Sequence, residues 1–226
     1  MTFDWAKFRQ SKVYDFLMGL PLIYWFGYVE AFKLRPALAA EARDLLMHPY
    51  SLLFNLRFFG LFASICFNLL TVYLIVVRTA PIRRSQGWLP RFCGVIGTFT
   101  GVGIQYLKPV QLPLGWQLLA SSLIFLGCIG SFFVLNKLGK SFSIMPEARV
   151  LVTSGPYAVA RHPLYAVEIL NIVGASMLFI QPWATLLAIA VIALLVVRSH
   201  FEEQVLTEAY PEYAQYRARV KRFGFI

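Results

Sequence analysis

Charge is what this sequence has least of. Charged residues fill 14% of its 226 positions and hydrophobic ones 58%, where soluble domains carry roughly a quarter charged residues. That scarcity excludes an ordinary water-soluble globule and points to a chain that sits in lipid. Cysteine is equally sparse. Cys66, Cys93 and Cys128 are far apart, odd in number and inside apolar runs, so they read as small packing residues rather than a disulfide framework or a metal knuckle. Metal ligands are not expected. The first apolar run carries Asp15 and Pro21 and lacks a small-residue cleavage site, which argues against a signal peptide. The glycines of "GTFTGVG" at 97–103 lie in an apolar helix and follow no strand, so close helix packing explains them better than a nucleotide loop.

What the chain does have is length of apolar run. A helix needs roughly 17–25 such residues to cross the hydrocarbon layer. Six candidate spans follow: Val13–Phe32, Phe58–Val77, Phe92–Leu107, Gly115–Asn136, Pro163–Ile180 and Trp183–Val197. The third and sixth are short, so the expected fold is an all-α polytopic integral membrane protein with five to six transmembrane helices. Of the 21 lysines and arginines, only Lys33, Arg35, Arg43, Arg57 and Lys108 fall outside if both termini are cytoplasmic. The rest, Lys7 and Arg9 among them, fall inside, as the positive-inside rule requires. The net charge of +10 is carried in loops beside apolar spans, so its partners are anionic lipid headgroups and not nucleic acid. Asp15 and Glu30 lie near predicted span ends, within reach of headgroup water, yet carboxylates at such places are often functional. Short loops and no targeting signal suggest a bacterial inner membrane.

Texture divides the chain in two. Residues 1–136 form a transmembrane scaffold of short loops without a repeat. From Lys137 the segment "KLGKSFSIMPEARVLVTSGPYAVARHP" is polar, irregular and too interleaved with apolar residues to be disordered, and a connection that long is usually functional. Two apolar runs follow, joined only by Gln181-Pro182, which predicts a helical hairpin over 163–197. Its second helix continues as "RSHFEEQVLTEAYPEYAQYRARVKR". Pro211 breaks it, and a cytoplasmic amphipathic helix then presents Tyr213, Tyr216 and Val220 on one face, either to the headgroup boundary or to the protein. The module is thus 137–226, in one structural domain with the scaffold.

Polar residues gather at both ends of that hairpin. Pro163 suits the first turn of a helix and puts His162 at its N-cap. Tyr165 and Glu168 share a face one turn on. Arg198 and Glu202 stand at i and i+4 where the second helix leaves the membrane, with His200 and Glu203 beside them. Capping, interface anchoring and a surface ion pair would explain each piece singly. The hairpin, however, returns both clusters to the same side of the bilayer, where together they would line a polar cavity.

The order "LVTSGPYAVARHPLY", then a hairpin, then "RSHFEEQVL" and "YPEYAQYRARV", resembles the isoprenylcysteine carboxyl methyltransferase family and the related phospholipid N-methyltransferases, over about residues 140–222. The resemblance implies an S-adenosylmethionine-dependent methyltransferase, with S-adenosylhomocysteine as the spent cofactor. It implies a cofactor pocket lined by Arg149, Val150, Leu151, Val152, Tyr157, His162, Pro163, Leu164, Tyr165 and Glu202. Arg198 would hold the methyl acceptor, a lipophilic small molecule or lipid, isoprenylcysteine-like by resemblance. Three positions depart from the pattern: Val167 replaces a usual glycine, Gln-Pro replaces Asn-Pro at the hairpin turn, and Tyr210-Pro211 replaces a glycine before the terminal motif.

An arginine fork suits a carboxylate acceptor, which needs no base because it is already ionised. An amine or thiol must lose a proton, which makes His200 and Glu203 candidate bases. Two other classes share parts of the pattern. A sterol-type membrane reductase using NADPH has a similar R-x-P-x-Y start, but a terminal K-Y-G-x-x-W where this chain has E-Y-A-Q-Y. A small transporter or lipid-binding scaffold would use the same polar residues without chemistry.

Overall fold

The computed structural model describes Phe8 and residues 11–224, with only the backbone at Thr98, Phe99, Thr100, Val102 and Gln105. Lys7 and Arg9 of the inside charges lie outside the described residues. Helices dominate, and all six predicted spans are helical. α1 is Lys12–Val29, capped by the Ser11 side chain, which accepts from the Tyr14 amide. A π turn at Glu30–Leu34 leads into α2, Arg35–Met47, where the sequence reading expected a loop. α3 is Leu52–Val77, α4 Leu89–Gly103, α5 Leu114–Leu138, α6 Pro163–Met177, α7 Trp183–Ala209 and α8 Tyr213–Arg219. Three of these stretches, Leu52–Val77, Leu114–Ser141 and Trp183–Ala209, are long and apolar enough to cross a membrane. Their outward faces carry large apolar side chains such as Phe62, Phe133 and Ile189, as lipid contact requires.

Small residues set the packing of the central pair α5 and α6. A methyl group added at Gly127 would stand 2.7 Å from the Asn171 backbone, and one at Gly174 would stand 2.7 Å from the Ala120 carbonyl. The helices approach backbone to backbone, the arrangement that replaces the hydrophobic effect in lipid. Gly130 opens a third notch, filled by Val167, whose Cγ1 would be 2.8 Å from an added methyl. The usual glycine of α6 is thus absent where α5 supplies the space instead. Ser64 and Asn171 both bond the buried Cys128 sulfur, at 3.0 and 2.8 Å, which makes that cysteine part of the α3–α5–α6 contact.

Two connections tie segments between helices together, one at each end of the bundle. β1, Arg83–Arg84, pairs antiparallel with β2, Glu147–Ala148. At the opposite end, the hairpin tip is tied to the α4–α5 connection by Ile180 N–H to Lys108 at 2.9 Å and Val110 N–H to Leu178 at 3.0 Å. The Gln181-Pro182 peptide in that tip is cis. Asp15 and Glu30 are buried, 4% and 5% exposed, rather than bathed in headgroup water. Glu30 faces Arg35 at 3.7 Å. Asp15 accepts from Arg78 Nε at 2.8 Å and from Arg149 Nη2 at 2.7 Å, and Arg149 also reaches Glu147 at 2.7 Å. This buried joint fastens α1 and the end of α3 to the 142–150 segment.

Candidate functional site

A cleft enclosing about 770 Å³, part of it open to solvent, lies where the irregular segment crosses the start of α6 and the lower end of α7. Proline at the first turn of α6 fixes where that helix begins, and His162 sits at its N-cap without a side-chain capping bond. The imidazole reaches Glu203 of α7 instead. Its Nε2 lies 3.1 Å from Glu203, and its ring stacks on Tyr165 with centroids 5.4 Å apart and planes within 3°.

Tyr165 then meets the second cluster. Its hydroxyl donates to Glu202, whose same carboxylate accepts from Arg198 Nε at 3.1 Å. The Arg198 guanidinium lies over the Tyr165 ring at 5.2 Å, and its Nη2 donates to the Ser143 carbonyl at 3.0 Å. The two ends of the hairpin therefore converge, as expected from their order along the chain. Glu202 keeps a fifth of its side chain exposed while Arg198 keeps 9%, so the carboxylate is the part that faces the cleft.

The other wall comes from the irregular segment and the tail. Arg149 is held behind it by the Asp15 and Glu147 carboxylates and the Thr79 carbonyl, and its own carbonyl accepts from Tyr210. Its Nε is buried without a partner among the described residues. Tyr213 and Tyr216 of α8 turn inward, 1% and 5% exposed, so the amphipathic face packs on protein. Tyr216 donates to the Tyr157 carbonyl at 2.6 Å. Burial raises the Tyr216 phenol to about 12 and pushes those of Tyr157 and Tyr213 higher still, so all three stay neutral donors near neutral pH. The tail closes the site through two backbone bonds, Arg161 N–H to Lys221 at 3.0 Å and His162 N–H to Arg222 at 2.9 Å.

Of the residues singled out from sequence, Arg149, Val150, Leu151, Val152, Tyr157, His162, Leu164, Tyr165, Arg198 and Glu202 line this one cleft. Pro163 is buried beside it but does not line it. His200 is exposed and bonded to Gln204 at 3.1 Å. Glu203 lies behind the cleft, 2% exposed, and is gripped by Arg222 through two contacts of 3.1 Å and by Arg161 at 3.3 Å. Neither His200 nor Glu203 lines the cleft. Ser143, Met145, Glu147 and Leu206 do, and sequence reasoning missed them. The "SFSIMPE" stretch gave a weak signal, since it lay in the long polar connection but held no motif.

Comparison with known families and proteins adds to this geometry. Residues 114–213 match the phospholipid methyltransferase family. A phosphatidylethanolamine N-methyltransferase of Rattus norvegicus is 35% identical over 99 residues, 43% of this chain and 46% of that one. A cobalt-zinc-cadmium resistance protein of Cupriavidus metallidurans is 38% identical over 76 residues, 32% of this chain and 34% of that one. The chain therefore spans less than half the length of the curated relatives it matches. Family members generally use S-adenosylmethionine. Residues 114–213, the stretch that is similar to the phospholipid methyltransferase family, carry the α5–α6 bundle, most of the cleft lining and the converging ends of the hairpin.

Proposed function

We propose that this chain is an integral membrane methyltransferase that binds S-adenosylmethionine in the cleft and methylates a lipophilic acceptor. The observation that carries the reading is the joined set His162–Tyr165–Glu202–Arg198, assembled from both ends of the hairpin at one mouth. When bound, the cofactor supplies an electrophilic methyl on a sulfonium, so the chemistry asks for position and water exclusion. The residues present fit such a group. Glu202 offers acceptor oxygens to amino or hydroxyl donors, Tyr157 offers a ring face to a cation at about 0.5–2 kcal/mol, and Leu151, Val152 and Leu164 offer apolar wall. The unpartnered Nε of Arg149 is a donor suited to a carboxylate. Residues 137–226 form the cofactor-binding module and 1–136 the scaffold, with both termini cytoplasmic in a bacterial inner membrane.

Arg198 is the group nearest to an acceptor role. By resemblance to carboxyl methyltransferases it would hold a carboxylate, and that is the first reading. A second reading is favoured by its geometry: Nε is taken by Glu202 and Nη2 by Ser143, which engages both nitrogens of the Nε–Nη2 fork that would otherwise meet two carboxylate oxygens. An amine acceptor then becomes the alternative, in keeping with the N-methyltransferase of Rattus norvegicus. Glu202, a carboxylate lining the cleft beside the arginine, would take the ammonium proton, while His200 and Glu203 stand apart from the cleft. A reductase using NADPH gains no support from the comparisons.

Isothermal titration of the detergent-purified chain with S-adenosylhomocysteine tests the cofactor. Binding is expected, and Glu202→Gln is expected to weaken it by roughly 10- to 100-fold, the worth of a hydrogen bond to a charged group. A folded sample that binds NADPH and not S-adenosylhomocysteine would overturn the reading. Isotopically labelled S-adenosylmethionine with lipid extract then separates the acceptors: a methyl ester is released by base, and a methylamine is not.

A further inference from the structure

A second hollow, about 530 Å³ of space part of which is open to solvent, lies between the 143–147 segment and α1. Ser143, Met145 and Glu147 line both, so this short segment is a shared wall. The polar rim of the second cavity holds Arg78, Arg84 and Arg91, and its floor includes Met18 and Leu22. Its two carboxylates are already engaged. Asp15 is bonded by Arg78 and Arg149, and Glu147 by Arg149 and, at 3.3 Å, Arg84. Four arginines thus face two acids, and among the described residues Arg91 has no ion-pair partner. Arg84 is further oriented by Tyr14, whose ring lies 5.1 Å below its guanidinium.

We propose that this cavity is an accessory site for the phosphate of an anionic lipid headgroup, bound by Arg84 and Arg91 and separate from the methyl acceptor. The excess charge sets the ligand's sign, and two guanidinium groups suit phosphate oxygens. The apolar surface beside the rim sets its source. Met18 is 47% exposed, and Leu17 and Val13 beside it on α1 are 46% and 61% exposed, a strip along which acyl chains can lie. Basic pockets between helices at a membrane edge take headgroups in this way. A lipid bound there would brace the shared wall from behind, and Ser143 in that wall also accepts from Arg198.

Native mass spectrometry of the purified full chain tests this without reference to methyl transfer. Dioleoylphosphatidylglycerol is expected to be retained over dioleoylphosphatidylcholine. Arg91→Gln and Arg84→Gln should each weaken retention about fivefold, while Arg219→Gln, an exposed arginine on α8, should not. Arg91 is exposed and unpaired among the described residues, so its variant keeps the test valid if Arg84→Gln disturbs the fold. Equal retention of phosphatidylcholine, or no effect of Arg91→Gln, would overturn the proposal. Displacement of the lipid by an equal concentration of glycerol 3-phosphate would overturn its lipid source.

Discussion

Replacing Asp15 with asparagine removes one negative charge at nearly constant shape from the joint between α1 and the 142–150 segment. The carboxylate accepts from Arg78 Nε at 2.8 Å and Arg149 Nη2 at 2.7 Å, and the three side chains are 5%, 7% and 0% exposed. Arg149 keeps a carboxylate in the variant, since Glu147 also lies 2.7 Å away. Arg78 keeps only neutral partners, including its bond to the Asp15 carbonyl at 3.0 Å. Breaking a buried pair costs about 3–5 kcal/mol through the charge left behind, and the retained Glu147 contact puts this case near the lower figure. For a chain of this size the melting temperature should fall by roughly 6–12 °C. Thiol-reactive dye fluorescence reads that shift as the rise above the folded baseline, because Cys93 and Cys128 are buried and free while the half-buried Cys66 sets that baseline. Glu208→Gln is the matched control. It breaks an equally short pair with Arg83, 2.7 Å long, whose side chains are 46% and 54% exposed, and such pairs contribute about 0–1 kcal/mol. Equal shifts for the two variants would refute the argument from burial.

The Gly130–Val167 notch predicts a compensating pair. Gly130→Ala should cost about 1–3 kcal/mol by overpacking, because the new methyl would stand 2.8 Å from Val167 Cγ1. Gly130→Ala with Val167→Ala should recover most of that in the same melting assay, and a double variant worse than the sum of the singles would contradict the packing. The buried tyrosines predict alkaline sensitivity. The Tyr216 phenol is raised from 10.0 to about 12, so below pH 10 it is neutral in both states and its contribution to stability is complete. Between pH 10 and 12 the unfolded chain ionises first, and stability falls as pH rises. Tyrosinate absorbance should therefore grow together with dye labelling, and ionisation of these phenols in a chain that still excludes the dye would contradict it.

How much of this was legible in the sequence differs from one residue to the next, for physical reasons. Pro163 fixes a helix start by local chemistry, and the hairpin turn then dictates that Arg198 and Glu202 return beside His162 and Tyr165; both steps are short-range and readable. Asp15 was readable only as an anomaly. Its partners lie 63 and 134 positions away, and no periodicity in a single sequence carries such a pairing. The helix Arg35–Met47 was missed because its mixed polarity gives neither an apolar run nor a clear stripe. Val167 was readable as a departure from the pattern, while the reason for it sits on a different helix at Gly130.

The position of the ionic joint bears on the site itself. Arg149 belongs to both the joint and the cleft, as Glu147 does, with its Nη2 on Asp15 and Glu147 and its Nε unpartnered among the described residues. A lysine there could not do both, since a single ammonium has no planar fork to divide between two carboxylates and a third direction. Any ligand group that met Nε would find it already fixed by α1, β2 and the end of α3, and would need little ordering on binding. The same fixation makes the cleft sensitive to α1, a helix that contributes no lining residue. Loss of Asp15 would then weaken ligand binding even in molecules that remain folded, because the Arg149 side chain would be released from one of its two anchoring carboxylates.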